Sequence, residues 1–198
     1  MENIIPSLIV FEGLDGSGKS TQAGLLAKDL SASGRRTVLT AEPTDRPIGR
    51  LVRQVLRGEV RTSPRALALL YAADRSDHLM SVRSWCESGN TVIADRYFYS
   101  SLAYQGVSED MDFLRLINAY PHAEKVIFVD TPAEECMRRI DARGGEKELF
   151  DRIEYLEKVR KNFKLVFSGL PDYVSFLEVD GLLPVEEQRR IISAFISR

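Results

Sequence analysis

The segment from Gly13 to Ser20 reads GLDGSGKS and matches the pattern GxxxxGK[ST]. Glycines at this spacing let the backbone curl so that successive N–H groups point at phosphate oxygens, and the following helix adds its positive N-terminal end. In this pattern Lys19 reaches the β- and γ-phosphates, and the Ser20 hydroxyl ligates Mg²⁺. Because a buried-type strand precedes the loop and an amphipathic helix follows it, we expect nucleoside triphosphate binding rather than a chance glycine turn.

Asp95 and Arg96 end the third run of strand-forming residues. An acid at a strand end beside a phosphate loop can provide a second Mg²⁺ ligand, directly or through water. An isolated Asp-Arg pair is more often a surface ion pair, but the strand-end position favours a functional site.

Several side chains have the chemistry needed to recognise a planar base. Tyr71 and Arg75 lie four residues apart in a predicted helix and share a face, so one could stack while the other donates to a carbonyl oxygen. Taken alone, an aromatic at helical spacing is more often part of a core. Gln105 could read an amide edge such as a pyrimidine's. His78 is interpreted as an ordinary surface or capping histidine.

A charged, glycine-containing stretch near residues 143–149 lies between two predicted helices. The positive side chains in and around it are Arg138, Arg139, Arg143, Lys147 and Arg152. The phosphate loop carries no arginine, so we interpret this stretch as a lid whose arginines stabilise charge on the transferring phosphoryl group. A solvated basic helix end is the alternative.

Elements that could position these side chains alternate along the chain. Short β-branched and aromatic runs predict strands at 8–11, 37–40, 91–94, 126–129 and 174–179. Three helix starts are indicated: Ser63-Pro64, Thr131-Pro132 with a capping-box spacing, and Pro184. A further helix is indicated by the amphipathic face of the segment from Ile48 to Leu56. The alternation predicts an α/β fold with a five-stranded parallel sheet and helices on both faces. Ligands then bind beyond the strands' carboxyl ends, which carry Glu12, Glu42, Asp95 and Asp130.

Composition restricts the class of protein. The 198 residues include 27 basic and 29 acidic side chains, which gives a net charge of −2. The whole chain therefore has no excess positive charge that would indicate binding to nucleic acid or to an anionic membrane. Cys86 and Cys136 lack CxxC spacing and predict two thiols in a reducing compartment, without zinc or a disulfide. With neither a signal-peptide pattern nor an apolar run near the roughly 18 residues of a membrane span, we expect a cytoplasmic protein.

Six motifs occur in order and cover nearly the whole chain: FEGLDGSGKST, AEPTDRPIG, LLYAADRSDHL, ADRYFYSSLAYQG, VIFVDTP and ARGGEKELFDRIE. Together they resemble the thymidylate kinase (dTMP kinase) family, in a version closer to archaeal members. The resemblance implies transfer of the γ-phosphoryl group of ATP to dTMP, giving dTDP and ADP in dTTP biosynthesis, with Mg²⁺. It implies one domain over residues 1–198, with a P-loop NTPase-type three-layer fold, a phosphate loop at 13–20 and a lid at about 143–150. It also implies a homodimer.

The same resemblance assigns the residues that hold phosphates. ATP would be bound by Gly13, Asp15, Gly16, Ser17, Gly18, Lys19, Ser20 and Thr21. Arg96 would hold the dTMP phosphate and Asp95 would order the Mg²⁺ site. Because the loop has Ser17 where other members carry an arginine, the catalytic arginine is expected in the lid, as Arg143 first and Arg152 second. Ala41 stands where members often have a phosphate-binding arginine, so we expect its substitute among Arg46, Arg50 and Arg53, with Arg53 ranked first.

The resemblance also assigns the residues that hold the nucleoside of dTMP. Tyr71 would stack on thymine and Arg75 would bond its O4, and Ser101 and Gln105 would face the base. Asp15 would contact the 3′-hydroxyl, and Tyr104 would lie against the sugar near C2′. A turn at Asp180-Gly181-Leu182 would contribute backbone contacts to adenine.

Two other functions remain open at the level of sequence. A thymine methyl is worth only about 1–3 kcal/mol of discrimination, so a kinase for UMP, CMP, dUMP or a nucleoside would have a similar sequence. A non-catalytic nucleotide-binding switch is the alternative from another class, although the presence of Lys19, Ser20, Asp95 and Arg96 argues against it.

Overall fold

The computed structural model describes residues 3–144, 149–150 and 152–197, without the Arg143 side chain. Five parallel strands form one sheet in the order β2-β3-β1-β4-β5. The strands are β1 (Ile4–Glu12), β2 (Thr37–Ala41), β3 (Thr91–Asp95), β4 (His122–Asp130) and β5 (Ser175–Asp180). All five predicted strands are confirmed, and β1 and β4 extend further towards their amino ends than the apolar runs indicated.

Helices connect the strands and lie on both faces of the sheet. They are α1 (Lys19–Ala32), α2 (Pro47–Leu56), α3 (Pro64–Glu87), α4 (Phe98–Tyr104), α5 (Met111–Ile117), α6 (Ala133–Arg143), α7 (Ile153–Ser168) and α8 (Val185–Ile196). The α/β architecture predicted from the alternation is therefore confirmed. The short helices α4 and α5, which follow the Asp95-Arg96 turn, were not anticipated by the periodicity.

Strand β1 shows why its apolar run is continuous. Leu8 and Val10 pack into the core on the side of α3, α4 and α7, while Ile9 and Phe11 pack against α1 and α8. Side chains alternate between faces along a strand, so a central strand covered on both sides must be apolar at every position. This central location brings the end of β1, and the phosphate loop after it, between two neighbouring strand ends.

Two local predictions are wrong. Thr131 is not the N-cap of α6, because Pro132 occupies that position and the Thr131 hydroxyl donates instead to the Ser17 carbonyl at 3.1 Å. His78 is not a surface residue: it is 2 % exposed and its ring bonds Glu42 and Thr40. In both cases a polar side chain finds a partner distant in sequence, which periodicity cannot show.

Within the described residues, no helix is both long and apolar enough to cross a membrane. The same part of the chain holds no group of three His, Cys, Asp or Glu side chains arranged for a metal ion.

Candidate active site

The phosphate loop has the backbone geometry that its glycines predict. Gly16 has φ +81°, and a Cβ there would lie 2.5 Å from the Cys136 carbonyl oxygen, so α6 packs too closely for any side chain. Gly18 has φ +99° and immediately precedes α1, which begins at Lys19. The left-handed glycines turn the chain sharply into the helix, leaving the first amides of α1 directed towards the loop.

Lys19 lies beneath the loop and is almost fully buried. Its ammonium donates to the Leu14 carbonyl and to Asp15 Oδ1, each at 3.4 Å, and lies 4.0 Å from Asp95 Oδ1. Within the described residues, that Asp95 oxygen is buried without a hydrogen-bond partner. A buried carboxylate oxygen beside the loop is a suitable ligand for a hard cation or its bound water.

A cavity of about 220 Å³ opens at the carboxyl ends of β1, β2 and β3. The predicted site residues that line it are Asp15, Lys19, Ser20, Arg53, Tyr71, Arg75, Asp95, Arg96, Ser101, Tyr104 and Gln105. It is also lined by Ala41, Glu42, Pro43, Leu56, Ser100 and Phe150. Residues from six separate segments of the chain therefore line one cavity beside the phosphate loop.

The remaining predicted site residues do not line this cavity, or lie outside the residues that the structure describes. Gly13, Gly16, Ser17 and Gly18 belong to the loop itself, and Thr21 is exposed in the first turn of α1. Arg152 is exposed at the N-cap of α7. The Arg143 side chain and residues 145–148, which make up much of the predicted lid, lie outside the described residues.

Arg96 lines the cavity and is held by side chains on both sides. Its Nη2 donates to Asp15 Oδ1 at 2.7 Å and to the Tyr104 hydroxyl at 3.1 Å, and its Nη1 donates to Ser100 Oγ at 2.7 Å. The guanidinium carbon also lies 4.8 Å from the centre of the Tyr104 ring. The guanidinium is therefore fixed on two sides by side chains from the phosphate loop and α4.

The charges at this point act strongly on one another. Removal from water raises the pKa of Asp15, but the positive charges of Arg96 and Lys19 lower it by more, to well below its ordinary value. Burial raises the pKa of Tyr104 well above its ordinary value, so its hydroxyl stays protonated and donates to Asp15 Oδ2 at 3.1 Å. An ionised carboxylate and a neutral phenol thus lie side by side at the cavity mouth, where both could contact a sugar.

Arg75 forms the floor of the cavity and is 1 % exposed. Its Nε donates to Glu42 Oε2 at 2.8 Å, and its Nη1 donates to Ser101 Oγ at 3.1 Å and to Asn118 Oδ1 at 2.5 Å. A buried guanidinium held by a carboxylate and two neutral acceptors has a single orientation. Together with Tyr71, it provides the aromatic face and fixed cation that the sequence suggested for a planar base.

The sequence did not predict which carboxylate holds the Arg75 guanidinium. The sequence identifies Glu42 only as an acid at a strand end. In the structure its carboxylate is hydrogen-bonded to both Arg75 and His78, and the His78 ring also bonds Thr40 Oγ1 at 2.8 Å. Asn118 carries no local signal at all, since it lies just beyond α5 and reaches Arg75 only because that helix packs near α3.

The three candidates for a second phosphate-binding arginine lie in different places. Arg53 lines the cavity, its Nη2 donates to the Pro43 carbonyl, and its Nε is buried without a hydrogen-bond partner in the described chain. Arg46 instead donates to Asp77 and to Ser81 on α3, and Arg50 is exposed on α2. Only Arg53 of the three lines this cavity.

Aromatic residues attach the segment before α7 to the rest of the site. The Phe150 ring stacks on Tyr155 with 4.9 Å between ring centres and 8° between planes, and the Tyr155 hydroxyl donates to the Tyr104 carbonyl at 2.6 Å. The Leu149 amide donates to the Leu56 carbonyl of α2 at 3.1 Å. Phe150 therefore covers one side of the cavity, a contact that the sequence did not predict.

Arg139, one of the positive side chains predicted around the lid, donates to the phosphate loop instead. Its Nη1 donates to the Ser17 carbonyl at 3.1 Å, its Nη2 to the Gly181 carbonyl at 2.9 Å, and its Nε to Glu135 at 2.6 Å. The turn expected to contact adenine is thus tied directly to the loop expected to bind the triphosphate.

A glycine loop between the central strand and a helix, adjoined by a cation-lined cavity for a second ligand, defines the class of phosphate-loop nucleotide-binding phosphotransferases. The family model described as "Thymidylate kinase" matches residues 11–190. A protein of Thermococcus gammatolerans named "Probable thymidylate kinase" is 44% identical over 176 residues, covering 83% of this chain and 84% of its own length. Proteins with the same name from Thermococcus onnurineus (41% over 200 residues; 95% and 96%) and Pyrococcus abyssi (45% over 165 residues; 78% and 80%) are also similar. The chain belongs to the thymidylate kinase family, as the sequence motifs indicated.

Proposed function

We propose that this protein transfers the γ-phosphoryl group of ATP to dTMP, giving dTDP and ADP. The observation that carries this proposal is the shared cavity, in which Lys19 and Ser20 of the phosphate loop face Arg96, Tyr71 and Arg75. Two anionic nucleotides could therefore meet with their phosphates between the loop and Arg96.

ATP would bind with its β- and γ-phosphates against the loop amides, the N-terminus of α1 and the Lys19 ammonium. The residues present suit Mg²⁺, since the buried Oδ1 of Asp95, which has no hydrogen-bond partner among the described residues, and the hydroxyl of Ser20 are both hard oxygen donors beside the loop. Bound Mg²⁺ would neutralise charge on the phosphates that the loop does not reach.

The acceptor needs little proton chemistry. A nucleotide phosphate has its second pKa near 6, so at pH 7 it is mostly a dianion whose oxygen can attack the γ-phosphorus directly. A new oxygen–phosphorus bond forms as the bond from the γ-phosphorus to the bridging oxygen breaks, and ADP leaves. Arg96 and Arg53 would offset the repulsion between the two anions, so a general base is not required.

The nucleoside of dTMP would occupy the rest of the cavity. Tyr71 would stack on thymine, Arg75 would donate to O4, and Ser101 and Gln105 would face the base. Asp15 would accept from the 3′-hydroxyl, and Tyr104 would lie near C2′. The neighbouring positions of Asp15 and Tyr104 at the cavity mouth support this sugar site, since they provide one charged acceptor and one protonated phenol.

The lid at about 143–150 would supply the catalytic arginine, Arg143 first and Arg152 second, and would exclude water from the transfer. We further propose a homodimer, and the exposed Leu69 and Met80 of α3 provide apolar surface for it. Sedimentation of the purified protein tests the dimer. We also propose that the reaction takes place in the cytoplasm.

The proposed function is tested with a panel of acceptors in a coupled assay for ADP. We expect ADP formation with Mg²⁺ and ATP to depend on added dTMP, with dUMP, UMP and CMP slower. Faster turnover of one of those acceptors would make the protein a different monophosphate kinase. Slow ADP formation at a rate that does not depend on any added acceptor would indicate a nucleotide-binding switch.

A further inference from the structure

Arg96 has a backbone conformation that side-chain-bearing residues rarely adopt. Its φ is +79°, in the left-handed region, at the turn between β3 and α4. The Arg96 amide donates to the Phe11 carbonyl of β1 at 2.9 Å, which joins this turn to the central strand. A strained turn persists only when surrounding contacts hold it, and such turns are common at functional sites.

Glu12, at the end of β1, provides several of those contacts. It is 0 % exposed, and its Oε1 accepts from the amides of Tyr97 at 2.8 Å and Ser100 at 3.2 Å. Its Oε2 accepts from the Ser100 hydroxyl at 2.5 Å. One buried carboxylate therefore holds both the backbone after Arg96 and a side chain on α4.

The Ser100 hydroxyl extends this contact to the Arg96 guanidinium. A serine has one hydroxyl proton, and when the Glu12 carboxylate is ionised that proton is donated to it, so the oxygen lone pairs face Arg96 Nη1 at 2.7 Å. Asp15 and Tyr104 accept from Nη2 on the other side. These contacts use three of the five guanidinium N–H groups, which leaves two for a substrate oxygen.

We propose that Glu12 and Ser100 are positioning residues, which orient the Arg96 guanidinium towards the phosphate of the acceptor nucleotide. This inference rests on the proposed function, which places that phosphate at Arg96. Neither residue needs to touch the substrate. Glu12 directs the Ser100 hydroxyl, and the hydroxyl fixes the plane of the guanidinium.

The experiment compares two ligands that differ only in the phosphate. Dissociation constants of dTMP and thymidine are measured by calorimetry for the wild type and for Ser100→Ala. This variant keeps the hydrogen bond from the backbone amide of residue 100 to Glu12. Because thymidine has no phosphate for Arg96, we expect Ser100→Ala to weaken dTMP binding about tenfold and thymidine binding by less than about twofold. Ser168→Ala, at an exposed serine that ends α7, is the matched control and should change neither constant.

Glu12→Gln gives an independent second test. Its amide nitrogen cannot accept the Ser100 proton, so we expect the same selective loss of dTMP affinity. The protein that carries both substitutions should have a dissociation constant for dTMP no higher than that of the weaker-binding single variant. The reason is that both changes act through one contact to Arg96. If Glu12→Gln does not fold, Ser100→Ala alone decides.

Two results would overturn the inference. One is a Ser100→Ala protein in which dTMP and thymidine weaken in parallel, which would indicate a merely structural residue. The other is unchanged dTMP affinity. The comparison also requires a wild type that binds dTMP more tightly than thymidine, and a wild type without that preference would contradict the role given to Arg96. Wild-type turnover of dTMP is measured separately, so failure of the proposed reaction is distinguishable from failure of the positioning inference.

Discussion

We predict that Glu12 makes the stability of this protein depend on pH. Burial raises the pKa of this carboxyl from 4.5 to about 7, although the Arg96 charge and the bonds from Ser100 and Tyr97 oppose the rise. Between these two pH values the folded state holds a proton that the unfolded state has released, so the free energy of unfolding falls as pH rises. At about 1.4 kcal/mol per pKa unit, the interval corresponds to about 3–4 kcal/mol.

The perturbation that isolates this effect is Glu12→Gln, which removes the titration and keeps the shape. Urea unfolding of both proteins is followed by circular dichroism from pH 5 to pH 8. We expect the free energy of unfolding of the variant, relative to the wild type, to increase by about 2–3 kcal/mol over this range. The difference between the proteins is the relevant quantity, because His122, whose pKa is lowered by burial, contributes a trend of opposite sign to both.

If the difference in free energy of unfolding between Glu12→Gln and the wild type stays constant from pH 5 to pH 8, this reasoning is refuted. A constant difference would mean that Glu12 titrates near its ordinary value and that the Ser100 and Tyr97 contacts fully compensate for its burial. A relative stability that decreases with pH would contradict even the sign of the effect.

Three further substitutions test the site. Lys19→Ala should nearly abolish turnover with an unchanged far-UV circular dichroism spectrum, and robust activity would refute the phosphate-loop assignment. Arg143→Ala should lower kcat about 100-fold or more with a smaller change in the KM for dTMP, and an unchanged kcat would remove Arg143 from the catalytic residues. Arg75→Ala should destabilise the fold by about 3–5 kcal/mol in urea unfolding, because the buried Glu42 carboxylate would lose its guanidinium partner and keep only the contact with His78. Its matched control, Arg115→Ala at an exposed ion pair, should change stability by less than about 0.5 kcal/mol, and equal losses would contradict the argument.

Local sequence was sufficient where a structure depends on neighbouring residues. The phosphate loop was predicted because its glycines, Lys19 and Ser20 are contiguous and act through backbone conformation. The strands and long helices were predicted because burial on one or two faces imposes a period on the apolar residues. Strand ends on one edge of a parallel sheet then indicated where Asp95 and Arg96 would lie.

The partners of buried charges were decided by the tertiary structure. The sheet order places β1 beside β3, and only this adjacency brings Glu12 to Ser100 and hence to Arg96. Glu42 meets His78, interpreted from the sequence as a surface histidine, because α3 packs on the sheet and brings this ring to the residue that follows β2. A charge removed from water must be paired by whatever group the packing brings within about 3 Å, and that group can lie anywhere in the chain. Sequence by itself therefore determined which chemical groups the site contains, and the packing of strands and helices determined which of them hold one another in place.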